Sequence, residues 1–139
     1  MDVRTIMTER PVTATRTTLL KDVARMMRDH DVGEIPIVED GKPVGVVTDR
    51  DIVVRMVANG QDPTQMRAED CMTSPAVTLA VDSDLKECAE IMARERIRRV
   101  PVVDEQGRLC GIIALADLER RQDMRSLKAE VSRQVSQPH

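Results

Sequence analysis

Two short stretches of this chain hold residue types that could do chemistry. In Thr48-Asp49-Arg50-Asp51 a hydroxyl and a carboxylate stand three residues apart. Where an extended segment turns into a helix, that spacing brings both side chains to one side. An ionised carboxylate has two acceptor oxygens, enough for both hydroxyls of a ribose cis-diol. A hydroxyl beside the free N–H groups of a helix start suits phosphate. The same residue types also cap helices, their oxygens accepting backbone N–H groups, so spacing leaves both roles open. The second stretch is Arg98-Arg99, just before Val100-Pro101. A guanidinium offers forked donors that fit an anion. The alternative is a solvated basic helix end, favoured by the macrodipole. Arg28, His30 and Lys86 are weaker electrostatic candidates and read as ordinary helix-surface residues.

Other chemistries find little support. There is no GxGxxG and no Walker loop. The only histidines are His30 and His139, and His30 sits among Arg28, Asp29 and Asp31. No carboxylate pair forms an acid–base motif, so no catalytic residue is expected and the chain reads as a non-enzyme. Cys71, Cys88 and Cys110 form no CxxC pair and have no histidine set beside them. They read as small apolar thiols in a reducing cytoplasm, with no metal site; redox or metal sensing is a third possibility. Phe, Tyr and Trp are absent, so the core must use Val, Ile, Leu, Met and Ala. A bound base then has no ring to stack on. A net charge of −3 gives no reason to expect nucleic acid or an anionic membrane. The opening Met1-Asp2-Val3-Arg4 begins no secretory apolar stretch, and no apolar run approaches a membrane span. The expected location is the cytoplasm.

The elements that must position these residues are legible through an internal repeat. Met7-Thr8 recurs as Met72-Thr73, Val12-Thr13 as Val77-Thr78, and Leu20-Lys21 as Leu85-Lys86. Ile35-Pro36-Ile37-Val38 recurs as Val100-Pro101-Val102-Val103, and Gly45-Val46-Val47 as Gly111-Ile112-Ile113. Each half opens with an extended piece, Pro11 to Thr15 or Ala76 to Ala80. A helix follows, its buried stripe at Leu20, Val23, Ala24 and Met27 or at Leu85, Cys88, Ala89 and Met92. Thr17 or Thr18, and Asp82 or Ser83, are the expected N-caps, and Gly33 the expected end of the first helix. A hairpin turns at Asp40-Gly41, or at Glu105-Gln106-Gly107 in the second half. A further helix starts near Asp49, carrying Ile52, Val53, Met56 and Val57 to Asn59-Gly60, or near Leu115.

The expected fold class is α+β: two β-α-β-β-α repeats packed around a pseudo-twofold axis. The expected domains are repeat 1 over 1–60, a polar linker over 61–70, repeat 2 over 71–121 and a charged tail over 122–139. In the tail, Leu127, Val131 and Val135 share a helical face.

Pro36 to Asp51, with its hairpin and Thr-x-x-Asp ending, resembles the corresponding element of cystathionine β-synthase-type (CBS) domains. Pro101 to Asp117 resembles it again, with Ala114 in the place of the Thr, and the Met-Thr openings match the family's usual start. The run Thr48 to Val53 is similar to small stand-alone two-CBS bacterial proteins. The resemblance implies a sensor of AMP, ADP, ATP or S-adenosylmethionine, with no obligatory cofactor. It implies one cleft formed by Thr48, Arg50, Asp51, Ile35, Pro36, Val77, Thr78, Leu79, Arg98 and Arg99. In it the base lies between aliphatic side chains near Thr78, and the arginines face phosphates. A second, weaker cleft would use Asp117, Val12, Thr13, Ala14, Val100 and Pro101, facing Glu34 rather than a basic pair. The resemblance also implies a homodimer through exposed helices. The alternative is a ligand-free dimeric assembly or stress-response protein that docks a protein partner.

Overall fold

The computed structural model describes residues 2–120 and 132–133, so the expected helical face of Leu127, Val131 and Val135 lies outside the described residues. In chain order the elements are β1 (Thr8–Glu9), α1 (Leu20–His30), β2 (Glu34–Glu39), β3 (Lys42–Thr48) and α2 (Asp49–Asp51), which continues as a π-helical turn over Ile52–Val57. Then come β4 (Leu79–Ala80), α3 (Leu85–Glu95), β5 (Arg99–Val103), β6 (Leu109–Ala114) and α4 (Leu115–Leu118). Short 3-10 turns cover Val3–Thr5 and Ala68–Asp70. The class is α+β, as the residue pattern implies.

The chain forms two compact units. The first gathers Pro11–Val77 with Gly107–Leu109; the second gathers the segment up to Arg10, Thr78–Gln106 and the described residues from Cys110 on. The Met-Thr openings are therefore exchanged. In the second unit the strand order is β1-β6-β5-β4, with Thr8 opposite Ile112. In the first unit β2 and β3 pair antiparallel, and single bridges extend them: Thr73 to Val46 on one edge and Ala14 to Ile37 on the other. The expected strand at Pro11 to Thr15 is thus reduced to one bridge at Ala14.

The exchange explains a glycine in each hairpin. A Cβ on Gly45 would lie 2.8 Å from Met72 Sδ and 2.8 Å from the Thr73 carbonyl oxygen. A Cβ on Gly111 would lie 2.5 Å from Met7 Sδ. Only glycine admits the Met-Thr segment so close to the strand. The tight turn at Asp40-Gly41 has both residues at positive φ, which suits Asp-Gly.

Each unit has its own aliphatic core. In the first it includes Leu20, Val23, Met27, Ile35, Ile37 and Val47; in the second, Leu85, Cys88, Met92, Val100, Val102 and Ile113. The two helices do not use their equivalent stripes alike. Ala89 is buried, but Ala24, expected in the stripe, is exposed. Residues 61–70, expected as a polar linker, include Ala68, which is fully buried in the first core.

The helix ends also differ from expectation. Leu19 stands at the N-cap of α1 with no side-chain bond, because the Met66 carbonyl takes the Leu20 N–H at 2.9 Å. Thr18 instead accepts the Thr15 N–H. Asp84 caps α3, accepting from the Glu87 N–H at 2.8 Å. Asp31, not Gly33, closes α1 in the left-handed region, and Arg96 does the same for α3. Among the described residues no helix is long and apolar enough to cross a membrane.

Candidate functional site

The Thr48–Asp51 turn is built by the hairpin of the first unit. Register sets Thr48 opposite Glu34 and Val47 opposite Ile35, and the Asp49 N–H donates to the Gly33 carbonyl at 3.0 Å. The segment Gly33 to Pro36 therefore stands beside the turn. Thr48 and Asp51 form a reciprocal capping box: the Asp51 N–H donates to Thr48 Oγ1 at 3.0 Å, and the Thr48 N–H donates to Asp51 Oδ2 at 3.0 Å. The capping role is thus present. The box does not use the Thr48 hydroxyl proton or Asp51 Oδ1. That oxygen faces Arg55 Nε at 3.6 Å, longer than a hydrogen bond.

In the second unit the equivalent turn keeps half of the box. The Ala114 N–H donates to Asp117 Oδ2 at 2.8 Å, and Ala114 has no hydroxyl to return the bond. Asp117 Oδ1 lies 3.4 Å from Arg120 NH1. The backbone is nevertheless the same: φ −106°, ψ 162° at Thr48 and φ −108°, ψ 154° at Ala114. The Leu115 N–H donates to the Arg98 carbonyl at 2.7 Å, matching Asp49 and Gly33. This contact sets the basic pair beside its own repeat's turn. Arg98, Arg99, Ala114, Leu115 and Glu119 line a concavity of about 390 Å³ in the second unit, which Ser132 also borders. Arg98 is exposed and Arg99 half-buried.

The residues expected to share one cleft are divided between the units. Ile35, Pro36, Thr48, Arg50, Asp51 and Val77 belong to the first; Thr78, Leu79, Arg98 and Arg99 belong to the second. Ile35, Pro36, Thr48 and Asp51 are gathered at one place within their unit, whereas Arg50 is exposed and Val77 lies outside any strand. Leu79 is buried, paired with Val102. Of the second expected group, Val12, Thr13 and Ala14 belong to the first unit, and Val100, Pro101 and Asp117 to the second. Glu34, expected to face that group, is buried at the start of β2. Sequence reasoning missed the arginines beside each carboxylate, although Asp51 and Arg55 have the i, i+4 spacing of a helical ion pair.

All three cysteines are free thiols. Burial pushes Cys71 up to about 11 and Cys88 up to about 12, and raises Cys110 as well. Reactive thiolate is therefore scarce near neutral pH. Among the described residues no cluster of three His, Cys, Asp or Glu side chains could hold a metal ion.

Residues 3–58 and 68–122 each match the CBS domain family, and the chain belongs to it as a tandem pair. An uncharacterised protein of Methanopyrus kandleri is 35% identical over 77% of this chain, which spans only 55% of that protein. A CBS domain-containing protein of Bacillus subtilis is 38% identical over 84% of this chain and 81% of its own. Among solved structures, a CBS domain protein from Pyrobaculum aerophilum complexed with AMP matches at TM-score 0.83 and 27% identity, covering 93% of this chain and 98% of its own. A CBS pair in complex with 5-methylthioadenosine and S-adenosylmethionine matches at 0.77 and 30%, covering 86% and 94%. Hypoxic Response Protein I with two coordinated zinc ions matches at 0.80 and 33%, covering 87% and 98%.

Proposed function

We propose that the chain is a non-catalytic regulatory module that takes an adenosyl compound (AMP, ADP, ATP or S-adenosylmethionine) at the Thr48–Asp51 turn. A ribose diol donates to Asp51 Oδ1, and the Thr48 hydroxyl proton stays available to a neighbouring oxygen of the ligand. The observation that carries this reading is the pair of turns. Ala114 adopts the same backbone as Thr48 without a hydroxyl, so the Thr48 hydroxyl is not required for the turn's shape. The AMP-bound and S-adenosylmethionine-bound relatives support the ligand class.

Thermal unfolding with each compound tests the reading. A ligand at 100 times its dissociation constant adds about 2.7 kcal/mol. Asp51→Ala should abolish the increment. Because Asp51 also caps its helix, the variant's own unliganded melting temperature is the reference. No increment with any of the four compounds sinks the proposal.

A second reading rests on Val53, Val54 and Val57, which are 58%, 45% and 58% exposed on the π-helical turn. Such a patch suits a homodimer or a docked protein partner. A relative named Hypoxic response protein 1, from Mycobacterium tuberculosis, is 36% identical over 73% of this chain and 71% of its own, and favours a stress-associated setting. Sedimentation of Val53→Lys/Val57→Lys should show a monomer where the unaltered chain shows a dimer.

A further inference from the structure

Arg55 does more than accompany Asp51. Its Nε lies 3.6 Å from Asp51 Oδ1, while its NH1 donates to the backbone carbonyls of Cys71 at 3.3 Å and Met72 at 3.4 Å. One guanidinium thus spans a carboxylate on the helical turn and two carbonyls of the exchanged opening. The next residue, Thr73, is held to β3 by a two-way pair: the Thr73 N–H donates to the Val46 carbonyl at 2.9 Å, and the Val46 N–H to the Thr73 carbonyl at 3.0 Å. Met72 and Thr73 press against Gly45 on the same strand, which ends in Thr48. Asp51 is mostly buried, its side chain 14% exposed, so its charge is weakly screened by solvent, and Arg55 is the cation placed on its spare oxygen.

We propose that Arg55 is a positioning residue that ties the Asp51 carboxylate to the Cys71–Thr73 backbone, so that capture of a ligand diol by Asp51 is read out as a change in the Thr73–Val46 pairing. The ligand half of this statement rests on the function proposed above; the tie itself does not. A diol that donates to Asp51 Oδ1 competes with Arg55 for the same lone pairs. As Arg55 shifts, its hold on the two carbonyls changes. Those carbonyls belong to the segment that runs on along the chain to Thr78 and β4, so occupancy at the first repeat's turn reaches the start of the second repeat's sequence.

The test is amide hydrogen exchange at Thr73 and Val46 in the full chain, with Asp51→Asn, Arg55→Gln and the double variant, all without ligand. Asn keeps an acceptor for the Thr48 N–H and removes the charge. Each single change should speed exchange at both amides by about two- to fivefold, the range set by a partly exposed ion pair. The double variant should be no faster than either single, because the two residues act through one link. The tie is refuted by unchanged exchange in Arg55→Gln, by single effects that multiply in the double, or by an equal rise at the Val81 amide, which bonds Val103 in the other unit.

Arg55→Lys keeps the charge and loses the fork, so it should exchange like Arg55→Gln; wild-type behaviour would show that charge alone is at work and overturn the bridging role. AMP is then added. It should alter exchange at Thr73 in the unaltered chain and bind Arg55→Gln without altering it. If AMP binds neither protein, the proposed function fails while the ligand-free cycle still decides the tie. If AMP binds and shifts Thr73 equally in both, the readout is refuted.

Discussion

The turn at Thr48–Asp51 and the turn at Ala114–Asp117 have the same backbone, the same carboxylate-to-amide bond and an arginine beside the carboxylate. They differ in one hydroxyl and in what flanks them. Gly33-Glu34 precedes the first hairpin and Arg98-Arg99 the second. One side-chain cap bond, beside the shared backbone bond to the preceding hairpin, therefore suffices at this strand-to-helix corner. What the hydroxyl adds at Thr48 is a second cap bond and a proton that the capping box does not use. Duplication has kept the scaffold and let the polar groups diverge.

The largest contrast between the two units lies in their helices. Ala24 and Ala89 are equivalent in sequence, yet only Ala89 is buried. Ala89→Glu should cost about 3–5 kcal/mol, the penalty of an unpaired buried charge. Ala24→Glu should stay within about 0.5 kcal/mol, as surface changes do. Denaturant unfolding of both variants reads the contrast, and equal costs would refute the asymmetry.

Next are the glycines. Gly45→Ala should cost about 1–3 kcal/mol by overpacking. Gly111→Ala should cost less, because its nearest neighbour is the flexible Met7 side chain and the Thr8 carbonyl stands off at 3.1 Å. The same unfolding measurement ranks them.

Smaller changes sharpen the contrast between the turns. Thr48→Ala should lose about 1 kcal/mol of cap energy, and Ala114→Thr should gain up to about as much. If the hydroxyl also serves a ligand, Thr48→Ala weakens AMP binding in calorimetry beyond its effect on folding.

The smallest effect near neutrality is that of pH. Cys71 and Cys88 have raised folded values, so the folded state holds its protons more tightly than the unfolded chain. Stability is intact below the ordinary thiol value near 9 and falls as pH rises from there toward 11 to 12. Melting temperature across pH 8 to 11 should decline, and Cys71→Ala/Cys88→Ala should flatten that decline.

Much of this was legible in order and spacing. The repeat exposed the two halves, the β-α-β-β-α layout and the Asp40-Gly41 turn, because aliphatic periodicity and turn chemistry act locally. The Thr48 and Asp51 pairing was readable for the same reason, since three residues at a strand-to-helix corner face each other whatever surrounds them. The caps of α1 were not readable. Thr17 and Thr18 are good capping types, but the Met66 carbonyl, far along the chain, had already satisfied the Leu20 amide. Nor was the fate of residues 61–70, whose polar composition hid Ala68 at the centre of the first core.

The sequence alone determined family, class, element order and the residue types available at each turn, all of which depend on neighbours within a few positions. Only the tertiary structure decided that the Met-Thr openings are exchanged between units, that Gly45 and Gly111 make room for them, and that Arg55 joins Asp51 to the Cys71 and Met72 carbonyls. Those outcomes turn on contacts between segments far apart in the chain, where periodicity carries no information and packing makes the choice.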